Sequence, residues 1–516
     1  MHWADVIAAD LIKEDKKHVL ATGITPSGPI HIGNMREVLT TDAVYRSLIK
    51  KGADADFIYI ADDYDHLRKR YPYLDSSFEK YVSMPLSDIP CPCGDHESYA
   101  DHYLNAFLES LNKIGIHPII YRASEMYKKG MYKDAIQTAL ENTKKIRNII
   151  ETISKRTLPK NWLPFNIICN DCGKITTTKP TLYEYPLIEY SCKCGYSGSV
   201  DIRESGVGKL PWRVDWPARW NMLNVTFEPF GKDHATVGGA RQTGEKIAED
   251  IYQFSPPAYT VYEFILLKGK GAMHSSKGTG LSADQMLNMT PPEVLRFLIM
   301  KNQPNKHISF DPGFGLLSFV DEYDQFERMY FGEEEQKKGV KDLDVIYELS
   351  QPKNIPTKLP IQVPYRHLVT LVQIQQNWQE LKPLLQRSNQ LPTNLSKTDE
   401  KRITQRIHHV LFWLDTYAPD SVKFKVQKTL SKITATREQK EFLNQFLDDA
   451  KDISWDAESI HNMVYSIMEQ QKIDAKTAFS TIYQFILGQK KGPRVGYFLS
   501  NLDKNFVLTR FMEVVK

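Results

Sequence analysis

The sequence predicts a doubly wound α/β fold whose parallel sheet is split by an insertion and followed by an all-α region. Residues 17–61 have the pattern strand, turn, helix and strand, and a unit of this length implies parallel strands joined by a right-handed crossover. All six cysteines lie between Cys91 and Cys194, where the α/β pattern is interrupted. Beyond about residue 345 the pattern is almost entirely that of amphipathic helices.

The length and charge of the chain limit the classes of protein to which it can belong. At 516 residues it has room for roughly three to four domains, and its net charge of +3 makes any nucleic-acid binding depend on local basic patches. No run reaches the roughly 18 apolar residues of a membrane span, and the N-terminus shows no secretory signal. We therefore expect a cytoplasmic protein without a membrane partner.

The first motif is the segment 23–34, with the sequence GITPSGPIHIGN. It follows an apolar strand pattern at 19–21 and precedes a helical pattern at 35–50, so it forms a tight turn into a helix N-terminus. Such a turn presents backbone N–H groups and the positive end of the helix dipole to an anion. Gly33 allows a polyphosphate to approach the backbone and His31 can donate to it, which indicates a nucleotide ligand.

A second apolar strand pattern, at 57–61, ends in an acidic group that contains Asp62, Asp63 and Asp65. Side chains at the carboxyl end of a parallel strand face the crevice in which open α/β sheets bind ligands. These carboxylates are therefore candidate ligand-binding groups.

The middle of the chain interrupts the α/β pattern and indicates an inserted domain. Residues 91–200 contain cysteine pairs, short strand patterns and long polar helical patterns, one of which predicts a helix over 128–155. The α/β pattern resumes near Trp212, and strands are predicted at 227–231 and 260–267.

Two cysteine pairs inside the insertion have the spacing of a zinc ribbon. Each pair is followed by a glycine, as in the knuckle turn of a four-thiolate site, and nineteen residues separate the pairs. Four thiolates leave no position for water, so the expected role is structural. The predicted ligands are Cys169, Cys172, Cys192 and Cys194.

A second group of metal-ligand residue types lies at the start of the insertion. Two cysteines separated by one proline are followed by two histidines, and the group supplies either four zinc ligands or two free thiols in a loop. The residues are Cys91, Cys93, His96 and His102.

The second motif is the segment 268–278, with the sequence KGKGAMHSSKG. It has the composition of a glycine-punctuated loop that carries hydroxyl and ammonium groups. Such a loop can close over a polyphosphate and neutralise the charge that develops on a leaving group. By itself the segment would be interpreted as a solvated linker, but together with 23–34 it favours nucleotide chemistry.

The two motifs together resemble the HIGH and KMSKS signatures of class I aminoacyl-tRNA synthetases. Three further segments, 22–28, 209–220 and 227–234, resemble the class I lysyl-tRNA synthetases within that group. The block 488–496 is similar to the last helices of the same family, so the resemblance covers nearly the whole chain.

The second motif departs from the family pattern at two positions. Ala272 stands where the first lysine of the loop is usual, and His274 stands where serine is usual. The resemblance then implies that Lys277 supplies most of the positive charge of the loop, with help from Lys270.

The resemblance implies a class I synthetase Rossmann-type parallel sheet with a zinc-containing connective insertion and an all-α anticodon-binding region. The expected limits are 1–90 for the first half of the nucleotide-binding domain, 91–205 for the insertion, 206–268 for the second half, 269–340 for the KMSKS-type loop and stem-contact region, and 341–516 for the anticodon-binding domain.

The resemblance also implies the reaction and its partners. ATP-dependent activation of L-lysine to lysyl-adenylate would be followed by lysyl transfer to the terminal 2′-hydroxyl of tRNA(Lys), with Mg²⁺ bridging phosphate oxygens. The carboxylate of lysine is ionised near neutral pH, so its attack on the α-phosphorus needs no general base. Catalysis would then depend on positioning and charge stabilisation. A monomer is expected.

The expected site residues follow from the positions that match the family motifs. The catalytic residues are His31, Asn34, Ser275, Ser276 and Lys277. The ATP-binding residues are Pro26, Ser27, His31, Gly33, Asn34 and Lys277. The substrate-binding residues are Gly23, Thr25, Trp212, Asp215, His234, Asp62 and Asp63.

Asp215 is the first choice for recognition of the lysine substrate. A carboxylate beside an aromatic wall binds an ammonium group through ion pairing and cation–π attraction. Asp62 and Asp63 are rival partners, and the alternative for Asp215 is an ion pair with Arg213 or Arg219. Trp212, Trp216 and His234 also have an alternative to substrate binding, which is a purely structural role in the core.

Three other functions are compatible with the sequence. A glutamyl-type class I synthetase would need a cationic pocket, whereas the crevice here is rich in aspartate. A small-substrate nucleotidyltransferase of the same superfamily would not need the long helical extension. A catalytically inactive, zinc-bearing RNA-binding paralogue would fit the departures at Ala272 and His274.

In the helical extension itself, the basic residues near Tyr497 either bind anticodon bases or form a solvated face; they are Lys490, Lys491 and Arg494.

Overall fold

A computed structural model gives the structure of residues 1–269, 271–272, 280–429 and 434–516. These residues form two compact units. The first comprises Met1–Leu287, Pro292–Phe310 and Glu335–Ile355, and the second comprises Asn288–Pro291, Asp311–Glu334 and Pro356–Lys516. Within the described ranges, no helix combines the length and the apolar composition that crossing a membrane requires.

The secondary structure alternates in the first unit and is helical in the second. The helices are α1 (Trp3–Leu11), α2 (Ile32–Lys50), α3 (Tyr99–Lys113), α4 (Ala123–Lys128), α5 (Lys133–Glu141), α6 (Thr143–Ser154), α7 (Trp212–Met222), α8 (Ala240–Asp250), α9 (Ala283–Met289), α10 (Pro292–Met300), α11 (Phe314–Tyr330), α12 (Leu343–Ser350), α13 (Tyr365–Ile374), α14 (Trp378–Arg387), α15 (Lys397–Thr416), α16 (Arg437–Asp449), α17 (Ala457–Gln471), α18 (Ala475–Leu487), α19 (Val495–Ser500) and α20 (Lys504–Val515). The strands are β1 (His18–Ile24), β2 (Ala55–Ala61), β3 (Ile119–Arg122), β4 (Asn166–Ile167), β5 (Thr178–Glu184), β6 (Leu187–Cys192), β7 (Ser197–Asp201), β8 (Gly208–Lys209), β9 (Phe230–Gly231), β10 (Val261–Tyr262), β11 (Ile265–Leu267), β12 (Gly271–Ala272) and β13 (Ile308–Phe310).

Strands β1, β2 and β3 form the parallel sheet that the sequence predicts. Strand β1 pairs with β2 and β2 pairs with β3, while α2 makes the crossover between the first two strands. On the other side of β1, Leu20 pairs in parallel with Phe227, which pairs in parallel with Ala258. Strand β9 continues the segment that contains Phe227, and β10 continues the segment that contains Ala258; the two strands also pair in parallel. The two halves of the α/β fold therefore join along β1.

The insertion contains a three-stranded antiparallel sheet, β5–β6–β7, and the antiparallel pair β4–β8. The prediction of one helix over 128–155 is wrong, because α4 ends at Lys128 and two separate helices, α5 and α6, follow it. Gly130 follows α4 with a φ of +77°, and Asn142 separates α5 from α6. Glycine adopts this left-handed conformation without the steric cost of a Cβ, so the chain turns where a continuous helix was expected.

The second unit contains α11 and α13–α20, in agreement with the helices predicted for the C-terminal region. One core of this unit joins the apolar faces of α16 to α20, which include Phe446, Val464, Ile482 and Phe498. Helix α12 belongs to the first unit, where it packs against α10. The predicted limit at residue 341 therefore falls before a helix that the structure groups with the α/β fold.

Candidate active site

The GITPSGPIHIGN motif forms the predicted strand, turn and helix start. Strand β1 leads into it, and His31 is the N-cap of α2 with extended backbone, φ −94° and ψ 166°. The backbone N–H of Asn34 donates to Nδ1 of His31 at 3.3 Å. Because Nδ1 accepts, a neutral ring carries its proton on Nε2, which makes Nε2 the donor atom of this side chain. Gly33 and Asn34 lie in the first turn of α2, where backbone N–H groups lack helical acceptors.

The segment that follows the KMSKS-type loop, residues 280–283, lies against this turn. The N–H of Ile32 donates to the carbonyl of Leu281 at 3.0 Å, and the N–H of Ala283 donates to the carbonyl of Ile30 at 3.1 Å. A Cβ built on Gly280 would lie 3.0 Å from the Cβ of His31, so the backbone of the loop passes very close to the histidine. The predicted residues Ser275, Ser276, Lys277 and Lys270 lie outside the described residues.

A cavity of about 380 Å³ lies at the carboxyl ends of the parallel strands. Five of the seven predicted substrate-binding residues line it: Gly23, Thr25, Asp62, Trp212 and His234. Gly23, Thr25 and Asp62 share one face because side chains alternate along a strand. Gly23 pairs with Ile60; Thr25 lies two residues after Gly23, and Asp62 lies two residues after Ile60.

Asp63 does not reach the cavity, because successive side chains point to opposite faces of a sheet. It is fully buried on the other side and accepts hydrogen bonds from Arg122 Nε at 2.9 Å and the N–H of Ser124 at 2.7 Å. The structure therefore gives Asp63 a structural role in place of the predicted contact with substrate.

Asp215 is also engaged within the protein. It is completely buried and forms an ion pair with Arg219, in which Nη2 lies 2.5 Å from Oδ2. Tyr127 donates to its other oxygen at 3.2 Å, and Lys209 Nζ lies 3.5 Å away. The first choice for the ammonium partner is thus corrected: the alternative ion pair with Arg219 is the observed one.

Asp62 shares the same two cations. Its oxygens lie 2.8 Å from Lys209 Nζ and 2.8 Å from Arg219 Nη2. Burial opposes ionisation, but the two cations hold the pKa of Asp62 below its usual range. Lys209 also binds Asp65, whose second oxygen accepts from the hydroxyl of Thr25 at 2.9 Å. The sequence analysis did not identify Lys209 as a site residue, although it is the first residue of the family-like segment 209–220 and the last residue of β8.

An aromatic wall lines the cavity. Trp212 is partly exposed and stacks on buried Trp216, with ring centroids 5.2 Å apart and planes 15° apart. The ring of His234 lies 6.1 Å from Trp212 and 5.6 Å from Trp216. Burial lowers the pKa of His234, so the imidazole is neutral at neutral pH.

The cavity wall includes a carboxylate that the sequence analysis missed, Glu228. This side chain is 7% exposed, and its Oε2 accepts hydrogen bonds from the indole N–H groups of Trp216 at 2.9 Å and Trp220 at 2.5 Å. Burial raises the pKa of Glu228. The sequence contained a signal for this residue. Glu228 lies in the strand predicted at 227–231 in the second half of the fold, much as Asp62 follows the strand predicted at 57–61 in the first half.

Another carboxylate, Glu37 of α2, supports β1 from its far side. It accepts hydrogen bonds from the hydroxyls of Thr22 and Tyr262, both at 2.6 Å, and from the N–H of Gly23 at 3.1 Å. Burial raises the pKa of Glu37 to about 7, and these three hydrogen bonds offset part of that effect.

The four cysteines of the predicted zinc ribbon come together. Their sulfur atoms lie within 4.8 Å of one another, and two of the separations, Cys169–Cys194 and Cys172–Cys192, are 3.7 Å. A tetrahedral zinc ion with Zn–S bonds of about 2.3 Å holds its sulfurs about 3.8 Å apart. The donor set and its spacing therefore fit structural zinc.

The second predicted group also converges. The ligand atoms of Cys91, Cys93, His96 and His102 lie within 4.8 Å of one another, and Cys93 Sγ is 3.2 Å from Nδ1 of His102. This arrangement favours a metal site over two free thiols in a loop. His102 lies on α3, whose Tyr99 donates to the carbonyl of Ser27 at 2.8 Å, so the group is connected to the turn before His31.

The second unit contains a cavity of about 1360 Å³. The basic residues singled out in the sequence line it together with aromatic side chains: Lys490, Lys491, Arg494, His461, Tyr465 and Tyr497. Cations beside aromatic rings are the groups that contact phosphates and unstacked bases of RNA loops.

Two family matches together cover nearly the whole chain. Residues 1–353 match the family described as tRNA synthetases class I (K), and residues 376–515 match the anticodon binding domain.

Curated relatives are similar over their full length. A protein of Picrophilus torridus named lysine–tRNA ligase is 44% identical, with 100% of this chain and 99% of the relative covered. A Methanosarcina barkeri protein of the same name is 46% identical, with 99% and 97% covered. An Archaeoglobus fulgidus protein, also named lysine–tRNA ligase, is 43% identical, with 99% of each chain covered.

Proposed function

This chain belongs to the class I lysyl-tRNA synthetase family, and from this premise we propose that its first unit activates L-lysine with ATP in the cavity beside His31. The reaction is the ATP-dependent ligation of lysine to tRNA(Lys). The observation that carries the proposed location is the pairing of residues 30–32 with 281–283, the segment that follows the KMSKS-type loop in the chain. The relatives' names do not support the glutamyl alternative.

ATP binds with its phosphates at the start of α2. The backbone N–H of Gly33, in the first turn of the helix, and the Nε2 donor of His31 offer hydrogen bonds to phosphate oxygens, while the N–H of Asn34 donates to Nδ1 of His31 and so fixes the ring. Pro26 and Ser27 shape the turn, and Tyr99 fixes the Ser27 carbonyl. We assign the stabilisation of departing pyrophosphate to the loop residues Ser275, Ser276 and Lys277, as the family motif implies.

Activation requires alignment more than acid–base catalysis. The substrate carboxylate is already ionised at neutral pH and attacks the α-phosphorus directly, with pyrophosphate as the leaving group. His31 and the helix N-terminus stabilise negative charge that shifts toward the leaving group. Mg²⁺, when bound, would neutralise phosphate oxygens in the same region.

Lysine lies along the cavity. Gly23 and Thr25 hold its α-amino end at the carboxyl edge of β1, next to Asp62 and the phosphate site. Trp212 and His234 line the side of the cavity and pack against the methylene groups of the substrate. Asp215 acts indirectly in this arrangement, because it fixes the Arg219 guanidinium that binds Asp62.

Zinc has a structural role in the proposal. Cys169, Cys172, Cys192 and Cys194 bind one ion that holds the ribbon together, and the cysteines and histidines at the start of the insertion bind a second. Neither donor set includes a position for substrate, so both ions stabilise the insertion.

The helical C-terminal region recognises the anticodon of tRNA(Lys). The family match and the basic, aromatic cavity beside Tyr497 support this assignment. We further propose that the protein acts as a monomer in the cytoplasm. The domain limits follow those expected from the sequence, except that α12 is grouped with the α/β fold.

The test is exchange of labelled pyrophosphate into ATP, measured with lysine or glutamate and with or without tRNA(Lys). We expect exchange with lysine only, and the family resemblance predicts that it requires tRNA. Exchange with glutamate and not with lysine would reverse the specificity. Absence of exchange with either amino acid in the presence of tRNA would refute the activity and favour a binding role. Exchange without tRNA would contradict the tRNA requirement alone.

A further inference from the structure

The metal-ligand group at the start of the insertion differs from the zinc ribbon in the exposure of its sulfur atoms. Cys93 is exposed and Cys91 is half-buried, whereas two of the four ribbon cysteines, Cys169 and Cys192, are buried. Oxidants modify the thiolates that solvent can reach, so the group at the start of the insertion is the more vulnerable of the two.

The two sulfur atoms of this group are close neighbours. Cys91 Sγ lies 3.2 Å from Cys93 Sγ, and a single proline separates the two residues in the sequence. In the ribbon, by contrast, the close sulfur pairs are 3.7 Å apart and join cysteines that are 20 and 25 residues apart in the sequence. An oxidised sulfur is converted to a disulfide by a thiol beside it, and here that thiol is already in place.

A disulfide between these two cysteines would deprive zinc of both of its charged ligands. The other members of the group are imidazoles, those of His96 and His102. Structural zinc is almost always four-coordinate, and two imidazoles cannot complete such a donor set. Disulfide formation therefore releases the ion, since zinc binds thiolates and not disulfides.

Zinc in this group ties the preceding part of the chain, segment 62–90, to α3. This segment lies within the described ranges, and its regular structure consists of two short 3₁₀ helices, Ser76–Tyr81 and Leu86–Asp88. Its apolar side chains share one small core with Tyr99 at the start of α3. His102 belongs to the same helix, so the ion fastens the end of the segment to the helix against which the segment packs.

Segment 62–90 also supplies part of the wall of the active-site cavity. Among the residues that line this cavity are Tyr64, Asp65, His66 and Arg68. The N–H of Leu86, near the cysteines, donates to the carbonyl of Asp65 at 2.8 Å. Loss of the ion should therefore loosen the cavity wall, and through Tyr99 and Ser27 it should also loosen the turn before His31.

We propose that Cys91 and Cys93 form a peroxide-sensitive pair whose oxidation releases zinc and slows lysine activation. The Cys93 thiolate attacks hydrogen peroxide, the O–O bond breaks, and a sulfenic acid forms with hydroxide as the leaving group. The Cys91 thiolate then displaces hydroxide from this sulfenic acid and forms the S–S bond. The two thiolates lose two electrons in total, and the peroxide gains them and leaves as two water molecules after it takes up two protons. The effect on activation rests on the proposed function, whereas disulfide formation and zinc release do not.

The test treats the reduced, zinc-loaded full-length protein with hydrogen peroxide, and catalase then stops the reaction. We expect one of the two bound zinc ions to be released to a chromophoric chelator, and peptide mass spectrometry to find a disulfide between Cys91 and Cys93. Pyrophosphate exchange with lysine should fall about 10-fold or more in the same sample. Dithiothreitol with added zinc should restore exchange, and because dithiothreitol does not reduce methionine sulfoxide, this recovery excludes methionine oxidation as the cause.

Cys93→His is the matched variant, because it keeps four zinc ligands and removes the second thiol. Relative to its own untreated sample, it should retain its zinc and its exchange rate at a peroxide dose that inactivates the wild type. Equal zinc release from wild type and variant overturns the inference. If the variant does not fold, the position of the disulfide in the wild type decides, and a disulfide confined to the ribbon overturns the inference.

Two further outcomes separate this inference from the proposed function. Zinc release with an unchanged exchange rate would overturn the connection between the cysteine pair and the cavity. Absence of exchange before any peroxide is added would refute the proposed activity, while disulfide formation and zinc release would still support the peroxide-sensitive pair.

Discussion

Arg219 binds the carboxylate of Asp215 one helical turn away, with Nη2 2.5 Å from Oδ2, and both side chains are buried. The same guanidinium nitrogen lies 2.8 Å from Asp62. Arg219 therefore connects α7, in the second half of the α/β fold, to the end of β2 in the first half. Burial disfavours the charged form, yet Asp215 and Asp62 hold the pKa of Arg219 well above its usual range.

Replacement of Arg219 by methionine should destabilise the protein strongly. The variant leaves Asp62 and Asp215 with Lys209 as their remaining close cation, and an uncompensated buried charge costs about 3 to 5 kcal/mol. Urea unfolding followed by tryptophan fluorescence measures the change in the free energy of unfolding. Arg437→Met removes an exposed i,i+4 pair with Glu441 and should have little effect. Similar midpoints for the two variants would contradict the importance of this ion pair.

The close approach of Gly280 to His31 leads to a second prediction. A Cβ at position 280 would lie 3.0 Å from the Cβ of His31, so Gly280→Ala should displace the imidazole. Misplacement of a positioning group is costly for catalysis, and we expect kcat/KM for ATP to fall about 10- to 100-fold. Pyrophosphate exchange at varied ATP concentration measures it. An unchanged thermal midpoint would attribute the loss to the site, and an unchanged kcat/KM would show that the loop can move away without consequence.

Glu37 should make stability depend on pH. Burial disfavours the ionised carboxylate and raises the pKa of Glu37 from its ordinary value of 4.5 to about 7 in the folded protein. Between these values the folded state holds a proton that the unfolded chain has released, so the stabilisation is complete below the lower value and is lost as pH rises through the upper one. Glu37→Gln should flatten this decline. Urea unfolding at several pH values between about 4.5 and about 7.5 tests this, and an identical slope in variant and wild type would refute the assignment.

Metal analysis should find about two zinc ions per chain, one in each four-ligand group. Cys169→Ser should retain one ion, and Cys93→Ser should retain the other. Elemental analysis of the purified proteins measures the zinc content. The double variant that combines Cys93→Ser with Cys169→Ser serves as the zinc-free control. Loss of the site at Cys93 should also raise the KM for ATP, because Tyr99 of the attached helix binds the carbonyl of Ser27. A wild-type content of one ion would leave Cys91, Cys93, His96 and His102 as free thiols and histidines.

Local sequence patterns predicted the elements that depend on near neighbours. The turn before α2 follows from glycine, proline and a capping histidine within twelve residues of sequence, 23–34, and the metal groups follow from ligands in short clusters. The amphipathic C-terminal helices follow from a period of about 3.6 residues. The single helix expected over 128–155 failed at Gly130, whose left-handed conformation the helical period does not reveal.

The sequence by itself determined the parallel sheet, the turn into α2, the two convergent groups of metal-ligand residue types and, through its motifs, the family. Only the tertiary structure decided which carboxylates line the cavity and which are paired with buried cations. Lys209 and Arg219 neutralise Asp62 and Asp215, and both cations lie far from Asp62 in the sequence. Glu228, in contrast, accepts hydrogen bonds from two indole groups. Ion pairing depends on distances of a few ångströms between elements that the chain order keeps apart, and no local pattern encodes those distances.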